Sequence, residues 1–374
     1  MKTKLVVFFG LLFISNQIFC QIFEKQGANV TIITHGWNPS GGQPGWMLPM
    51  AEAIIERSGG KGHIANITVT GTLDNLTATC SNWNFNFADS DYCQIVVLVN
   101  WTAVANHLNT RVTAQDVATV VAPKIYQSQN GKPALSELPI HLIGHSRGSG
   151  LMIQIAKLLG EKGIEIDQVT LLDPHPLTSA DPQSMPSTID ATISPYENIQ
   201  FIDCYWQNIN FPKGQYVNGA YNRLWTSLPG GYHNESGYTY NILGTNYNFS
   251  DHLNIILAYH GTIDSVTPVY NGEATMNTIE RNWFNFFEIN GENTGFKYSQ
   301  IVYGNRLSSE TPVEGGDQIK AGLHNNALIG GTGTRTALNW TNAQWANVIK
   351  STLTLGFDEL EPGSITIPLN KQVY

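Results

Sequence analysis

Six apolar runs of strand length alternate with helix-like stretches through the first half of the chain, and this alternation limits the fold more than anything else in the sequence. The runs are VTIITH (30–35), HIANITVTG (63–71), QIVVLVNW (94–101), LPIHLIG (138–144), QVTLLD (168–173) and IQFIDCYW (199–206). Continuous rather than alternating hydrophobicity suits strands covered on both faces. Between them lie MLPMAEAIIERSG, TAQDVATVVAPKIYQ and SGLMIQIAKLLGEKG. In the last of these, Leu151, Met152, Ile155, Leu158 and Leu159 follow the stripe of a helix with one buried face. A chain built this way is expected to form an α/β domain with a mostly parallel central sheet and helices on both faces.

With 374 residues, 42% of them hydrophobic, the chain can bury one large core. Lys2 and Lys4 followed by the apolar run Leu5 to Ile14 read as a secretory signal peptide over 1–20, cleaved after Cys20. That run is far shorter than the ~20 residues needed to span a bilayer, so no transmembrane segment is expected. Export would put Cys80, Cys93 and Cys204 in an oxidising compartment, where Cys80 and Cys93 could close a short disulfide loop and Cys204, in an apolar run, reads as a buried thiol. Only 13% of residues are charged and the net charge is -9, which argues against nucleic acid as a partner.

The catalytic domain is expected over 21–264. Its segments Pro174 to Tyr196 and Gln207 to Ser250 are irregular, and the second is long enough to serve as a lid or binding loop. Residues 265–357 read as a β-rich C-terminal extension, and 358–374 as a linker or the start of a further β-segment.

One strand-to-helix junction carries chemistry. Gly144-His145-Ser146-Arg147-Gly148 has the form G-x-S-x-G, with an apolar strand before it and an amphipathic helix after it. A sharp turn there holds the serine in a strained conformation, and only glycine fits two residues to either side. The helix start then supplies free N–H groups and the positive end of a dipole where an oxyanion would form.

A serine hydroxyl of normal pKa needs a base, and the base needs an orienting acid. His252 and His260 both lie in SDHLNIILAYHGTID, and Ser250-Asp251 reads as a helix start. His252 would sit in the first turn, with His260 about 12 Å further on as the alternative base. His175 and His233 also lie in loops that could approach the site. His145 reads as packed beside the sheet and His141 as core. Asp173, directly after QVTLLD's last apolar residue, is the favoured acid, and Asp203 in the next strand is the alternative. The oxyanion donors would be the amides of Arg147 and of Trp37, where Gly36 lets the backbone come close.

These four short motifs resemble the α/β-hydrolase superfamily, and within it the extracellular lipases of the pancreatic-lipase type. The resemblance runs over Val30 to Ile263 and rests on His35-Gly36-Trp37, on Gly144 to Gly148, on Leu172-Asp173-Pro174 and on a histidine opening a helix. It implies the α/β-hydrolase fold and a lipase or esterase with Ser146, His252 and Asp173 as its triad. Arg147 stands where those enzymes usually carry a hydrophobic residue. The expected substrate is an ester or lipid. An amide, thioester or polyester cleaved by the same triad, or a non-catalytic surface-binding protein on the same scaffold, are the alternatives. No cofactor is required and no metal-ligand spacing occurs; Asp- and Asn-rich loops could hold a structural calcium, with no motif to support it. Oligomeric state is not readable.

Overall fold

The computed structural model describes residues 29–263, except 39–40, 86–93, 107–109, 226–238 and several isolated positions, together with 269–270, 275–276 and 295–298. The expected signal peptide, Cys93, His233 and most of the C-terminal extension lie outside the described residues.

The apolar runs become strands β1 (Asn29–Thr34), β2 (Gly62–Thr70), β4 (Gln94–Asn100), β5 (Ile140–His145), β6 (Gln168–Leu172) and β7 (Ile202–Trp206), with β3 (Thr77–Ser81) and β8 (Tyr221–Leu224) added at the edges. They form one eight-stranded sheet in the order β3-β2-β4-β1-β5-β6-β7-β8. Every neighbouring pair is parallel except β2 with β3. β1, β5 and β6 are buried at every position, as strands sandwiched between helix layers must be.

The two faces carry separate cores. On one, α2 (Ala114–Tyr126) and α3 (Arg147–Gly160) bring Val117, Val121, Leu151 and Ile155 against Val30, Val97 and Leu142. On the other, α1 (Met47–Arg57) and α4 (Ser250–Ile263) bring Met50, Ile54, Ile256 and Tyr259 against Ile33, Leu98 and Ile143. A reciprocal capping box starts α2: the Thr113 hydroxyl accepts from the Asp116 amide at 3.2 Å, and the Asp116 carboxylate accepts from the Thr113 amide at 2.9 Å.

Three details depart from the sequence reading. β3 was not expected; TATCS alternates exposed and half-buried positions on an antiparallel edge and has no apolar run to announce it. The stretch Gln207 to Ser250 is not irregular throughout, since it holds β8 and the hairpin β9 (Thr239–Ile242) and β10 (Thr245–Asn248). SDHLNIILAYHGTID points to one buried face made of Leu253, Ile256 and Leu257, yet α4 is buried on nearly every side, because the Gly295–Tyr298 turn covers it and inserts Phe296, whose amide donates to Thr262 Oγ1 at 2.7 Å.

Strand order decides where a site can form. β1 lies in the middle of the sheet, and the chain turns from building one side of it to the other between β4 and β5. The crevice at the carboxyl ends of β1 and β5 is therefore the switch point at which ligands bind in open α/β sheets. Pairing of Thr34 with Gly144 puts the chain leaving β1 beside the chain leaving β5. The approach is so close that a methyl on Gly148 would stand 2.4 Å from the His35 carbonyl oxygen, and one on Gly144 would stand 2.4 Å from that of Gly148. Gly150, one turn into α3, has open space. Gly144→Ala and Gly148→Ala should each lower the unfolding free energy by roughly 1–3 kcal/mol through backbone collision. Gly150→Ala should raise it by up to about 1 kcal/mol, because alanine loses less entropy in a helix; denaturant titration of the three variants tests the contrast.

Candidate active site

Ser146 stands between β5 and α3 with φ 57° and ψ -127°, a conformation that side chains rarely adopt. Both of its backbone groups are held by the neighbouring strand and the loop that follows it. The Ser146 amide donates to the Leu172 carbonyl at 2.8 Å, and its carbonyl accepts from the His175 amide at 3.2 Å. α3 begins at Arg147, so the Arg147 amide is among the first N–H groups of the helix, which have no intrahelical acceptor.

The loop after β1 lies directly over this turn. A methyl on Gly36 would be 2.6 Å from Ser146 Cβ and 2.9 Å from both Ser146 Oγ and the Arg147 amide nitrogen. Only glycine can bring backbone this near to the hydroxyl. His35 fixes the loop from beneath: its Nδ1 faces the Gly36 carbonyl at 2.8 Å, and its Nε2 accepts from the Trp101 amide at 3.3 Å. The Trp101 indole donates to the His35 carbonyl at 2.8 Å and stacks on the ring at 5.7 Å. With one ring nitrogen donating and the other accepting, His35 is neutral. Burial lowers its pKa from 6.5 to about 4, outweighing its bonds to Gly36 and Asn100.

Asp173 follows β6 at φ 43°, fully buried. Its carboxylate accepts three hydrogen bonds, from the Gln207 amide at 2.8 Å, from Gln207 Nε2 at 2.9 Å and from His252 Nδ1 at 2.5 Å. Gln207 has no freedom to turn its amide, since Nε2 also donates to the Pro212 carbonyl at 2.8 Å and Oε1 accepts from the Ile209 amide at 2.8 Å. Gly214 leaves the space that Asp173 Oδ1 occupies. Burial pushes the Asp173 carboxyl above the ordinary carboxylate range, and the two Gln207 donors pull against it. His252 lies in the first turn of α4, and burial followed by the nearby His175 lowers its pKa well below 6.5, so the imidazole is neutral. His145 packs beside it at 4.4 Å between ring centroids and donates from Nε2 to the His252 carbonyl at 3.1 Å. His145 is itself neutral, its pKa lowered chiefly by burial.

The two alternatives sit elsewhere. Asp203 accepts from Thr170 Oγ1 at 2.6 Å and from the Tyr205 hydroxyl at 3.0 Å beneath α4, in a polar cluster that ties β6 to β7. His260 is two turns further along α4 than His252 and is buried. His141 is fully buried, with Nε2 2.8 Å from Thr170 Oγ1. Cys204 is buried, and the Cys80 thiol is free and half-buried on β3, where burial raises its pKa.

Arg147 projects away from the cleft, into the protein. Its guanidinium binds both oxygens of Asp190, at 2.5 and 2.9 Å, and donates to the carbonyls of Ala105 at 3.0 Å and Val112 at 2.8 Å, with the Trp101 ring beneath it. Asp190 in turn accepts from the amides of Ala114 and Leu177. Four segments, around residues 101–105, 112–114, 177 and 190, are thereby tied to the first residue of α3. Asp190, Gln207 and Asp181 were not singled out as site residues from sequence, because each lies in an irregular loop with no motif around it, whereas His175, which the sequence places in a loop able to approach the site, does line the cleft.

Ser146 opens into a cleft whose apolar walls are Trp37, Leu177, Phe211, Pro212, Ile242 and Phe249. Trp37 and Phe249 pack at 5.8 Å, and Phe249 and His175 both contact the His252 ring. The cleft thus brings a strained serine hydroxyl and free helix-start amides to the same sheet edge as a neutral imidazole on a buried carboxylate, a set able to support nucleophilic chemistry on an apolar substrate. Among the described residues no group of three or more His, Cys, Asp or Glu could hold a metal ion, and no helix is long and apolar enough to cross a membrane.

No protein-family model matches the chain, and no curated protein does. Among solved structures it is similar to the peroxisomal alpha-beta-hydrolase Lpx1 from Saccharomyces cerevisiae, at 15% identity and a TM-score of 0.20. That match covers 43% of this chain and spans only 37% of the yeast protein, and an overlap of that extent adds nothing to the reading of the site.

Two outcomes follow from the buried groups. Asp190→Ala would leave the Arg147 guanidinium uncompensated and should cost about 3–5 kcal/mol in denaturant unfolding. The unfolded chain protonates His35 near 6.5, whereas the folded chain resists until about 4. Its contribution, on the order of 3 kcal/mol, is therefore present above about pH 6.5 and lost as pH falls toward about 4. His145 and His252 act in the same sense, so melting temperature should drop steeply across that window, which calorimetry at stepped pH would record.

Proposed function

We propose that the chain is a secreted serine hydrolase of the α/β-hydrolase type that cleaves carboxylic esters with an apolar acyl group. The observation that carries this reading is the meeting of Ser146 Oγ, the Arg147 amide and the Gly36 backbone within about one atomic contact, at a serine held at positive φ. The short His252 to Asp173 bond on the same sheet edge supplies the second half.

In this reading Ser146 attacks the acyl carbonyl while His252 Nε2 removes its proton. Asp173 holds Nδ1–H of His252 and stabilises the imidazolium that forms, and Gln207 keeps the carboxylate aimed. The amides of Arg147 and Trp37 receive the oxyanion, and this is why Gly36 must lie against the serine. His252 returns the proton to the leaving alcohol. Water, deprotonated by the same histidine, then releases the acyl group from Ser146. The six apolar walls of the cleft favour an ester with a hydrocarbon acyl chain over a charged one. Secretion rests on the N-terminal charged and apolar run, and kinship with the pancreatic-lipase type on the four motifs.

A fluorophosphonate probe tests the proposal without a known substrate. Purified protein should be labelled on Ser146, and Ser146→Ala should not be labelled at all. His252→Ala should react at least about 10⁴-fold more slowly and Asp173→Asn about 10⁴-fold more slowly. Folded wild type that takes no label would remove the hydrolase reading.

A further inference from the structure

A second imidazole and carboxylate stand beside the first pair, and the reaction described above makes no use of them. His175 comes two residues after Asp173 and shares the cleft wall with Ser146. Its Nδ1 faces the Lys213 carbonyl at 2.6 Å and its Nε2 faces Asp181 Oδ1 at 2.9 Å. A carbonyl oxygen can only accept. Asp181 is an acceptor as well, because its other oxygen already takes hydrogen bonds from the Thr178 amide at 2.7 Å and the Thr178 hydroxyl at 2.9 Å. Both ring nitrogens of His175 therefore donate, and a ring that donates twice is an imidazolium. The ring is clamped edge-on against Phe211 at 5.5 Å, and its centroid lies 6.3 Å from that of His252.

We infer that the His175–Asp181 pair is an electrostatic positioning device that holds a fixed positive charge beside His252 and so sets the pH range over which His252 can act as a base. The inference rests on the assignment of Ser146, His252 and Asp173 proposed above.

The charges around the pair agree with this role. Burial opposes a charged His175, yet the bond to Asp181, its charge, the Lys213 carbonyl and Asp173 together raise its pKa. Burial likewise opposes ionised Asp181, and His175 and Thr178 overcome it. His252 is faced by Asp173 through Nδ1, by His175 from the loop after β6, and by neutral His145 from β5. Asp251, its neighbour on α4, bonds Asn210 and acts on Asp173 in the opposite sense to His175. Arg147 and Asp190 neutralise one another. His175 is thus the cation that faces the base among the described residues of these elements. Its field disfavours protonated His252, which keeps the base free at lower pH, and favours ionised Asp173.

The test is the pH dependence of the phosphonylation rate of Ser146 by a fluorophosphonate, from about pH 5 to about pH 9, for wild type, His175→Gln and His175→Lys. Glutamine removes the cation and leaves Asp181 charged, so the acidic limb should move up by about one pH unit. Lysine restores a cation opposite Asp181, and its limb should stay close to that of wild type. A merely structural role would slow both variants and move neither limb. A His175→Gln protein that labels with its limb unmoved would overturn the inference while leaving the hydrolase assignment intact. Wild type unlabelled at every pH would overturn the assignment itself. Long-range ¹H–¹⁵N spectra of the wild-type imidazoles at about pH 7.5 need no variant. Two protonated nitrogens on His175 support the inference, and a neutral ring overturns it.

Discussion

Ser146 at φ 57° and ψ -127° is the constraint around which the rest of the site is built. A residue in this region costs on the order of 1–3 kcal/mol and persists only where its surroundings leave no other choice. Here the choice is removed on every side. β5 enters the turn paired to β1 and β6, and α3 leaves it with the Arg147 side chain locked to Asp190. The Ser146 amide and carbonyl are bound to Leu172 and His175, so the serine cannot relax without pulling on the segment that carries Asp173. Asp173 is itself at positive φ and is anchored through its amide to the Tyr205 carbonyl. Ser146 and Asp173 are two strained points of one hydrogen-bonded strip.

Electrostatics at this edge follows from how few charges the chain keeps and where it buries them. Asp173, Asp190 and Asp203 are all buried, yet each is surrounded by donors from at least two segments. Four histidines stand around the serine: His35, His145 and His252 are deep and held neutral by burial, and only His175, nearer the surface and opposite Asp181, is charged. Burial is the larger cause that keeps His252 neutral, and the charge on His175 adds to it in the same sense. The same desolvation makes the fold acid-sensitive, so the chemistry and the stability of the protein share one set of buried imidazoles.

The layered α/β fold was legible in the sequence because strands covered on both faces must be apolar throughout, and the runs starting at Val30, Gln94 and Gln168 say so without ambiguity. The junction at Ser146 was legible because its steric demand is met by glycine alone. What could not be read were the edges and the supports. β3 is short and half-exposed, and β8 is four residues long with Asn222 and Arg223 among its three buried positions, so neither periodicity nor composition separates them from loops. Gln207, Asp190 and Asp181 act through hydrogen bonds across 34, 43 and 6 positions of sequence respectively, and nothing local in an irregular segment marks such a partner. Arg147 shows the same limit from the other side. From sequence it is only a departure from the lipase pattern, whereas in the structure the guanidinium is directed inward and leaves only its backbone amide at the site.

That inward turn bears on what the cleft can accept. With Arg147 matched to Asp190 and His175 matched to Asp181, the two cations nearest Ser146 are each committed to a carboxylate and offer no spare donor to a substrate anion. Recognition falls to Trp37, Leu177, Phe211, Pro212, Ile242 and Phe249, and these come from four separate segments. The hairpin of β9 and β10 supplies Ile242 and packs Tyr247 against Phe211 at 4.8 Å. A pocket assembled in this way selects by shape and hydrophobic area, and a methylene more or less in such a pocket changes discrimination only about 10- to 200-fold. On the proposed function, such a pocket would give graded preference among apolar acyl groups instead of strict choice of one, with preference set by walls drawn from loops at the sheet edge.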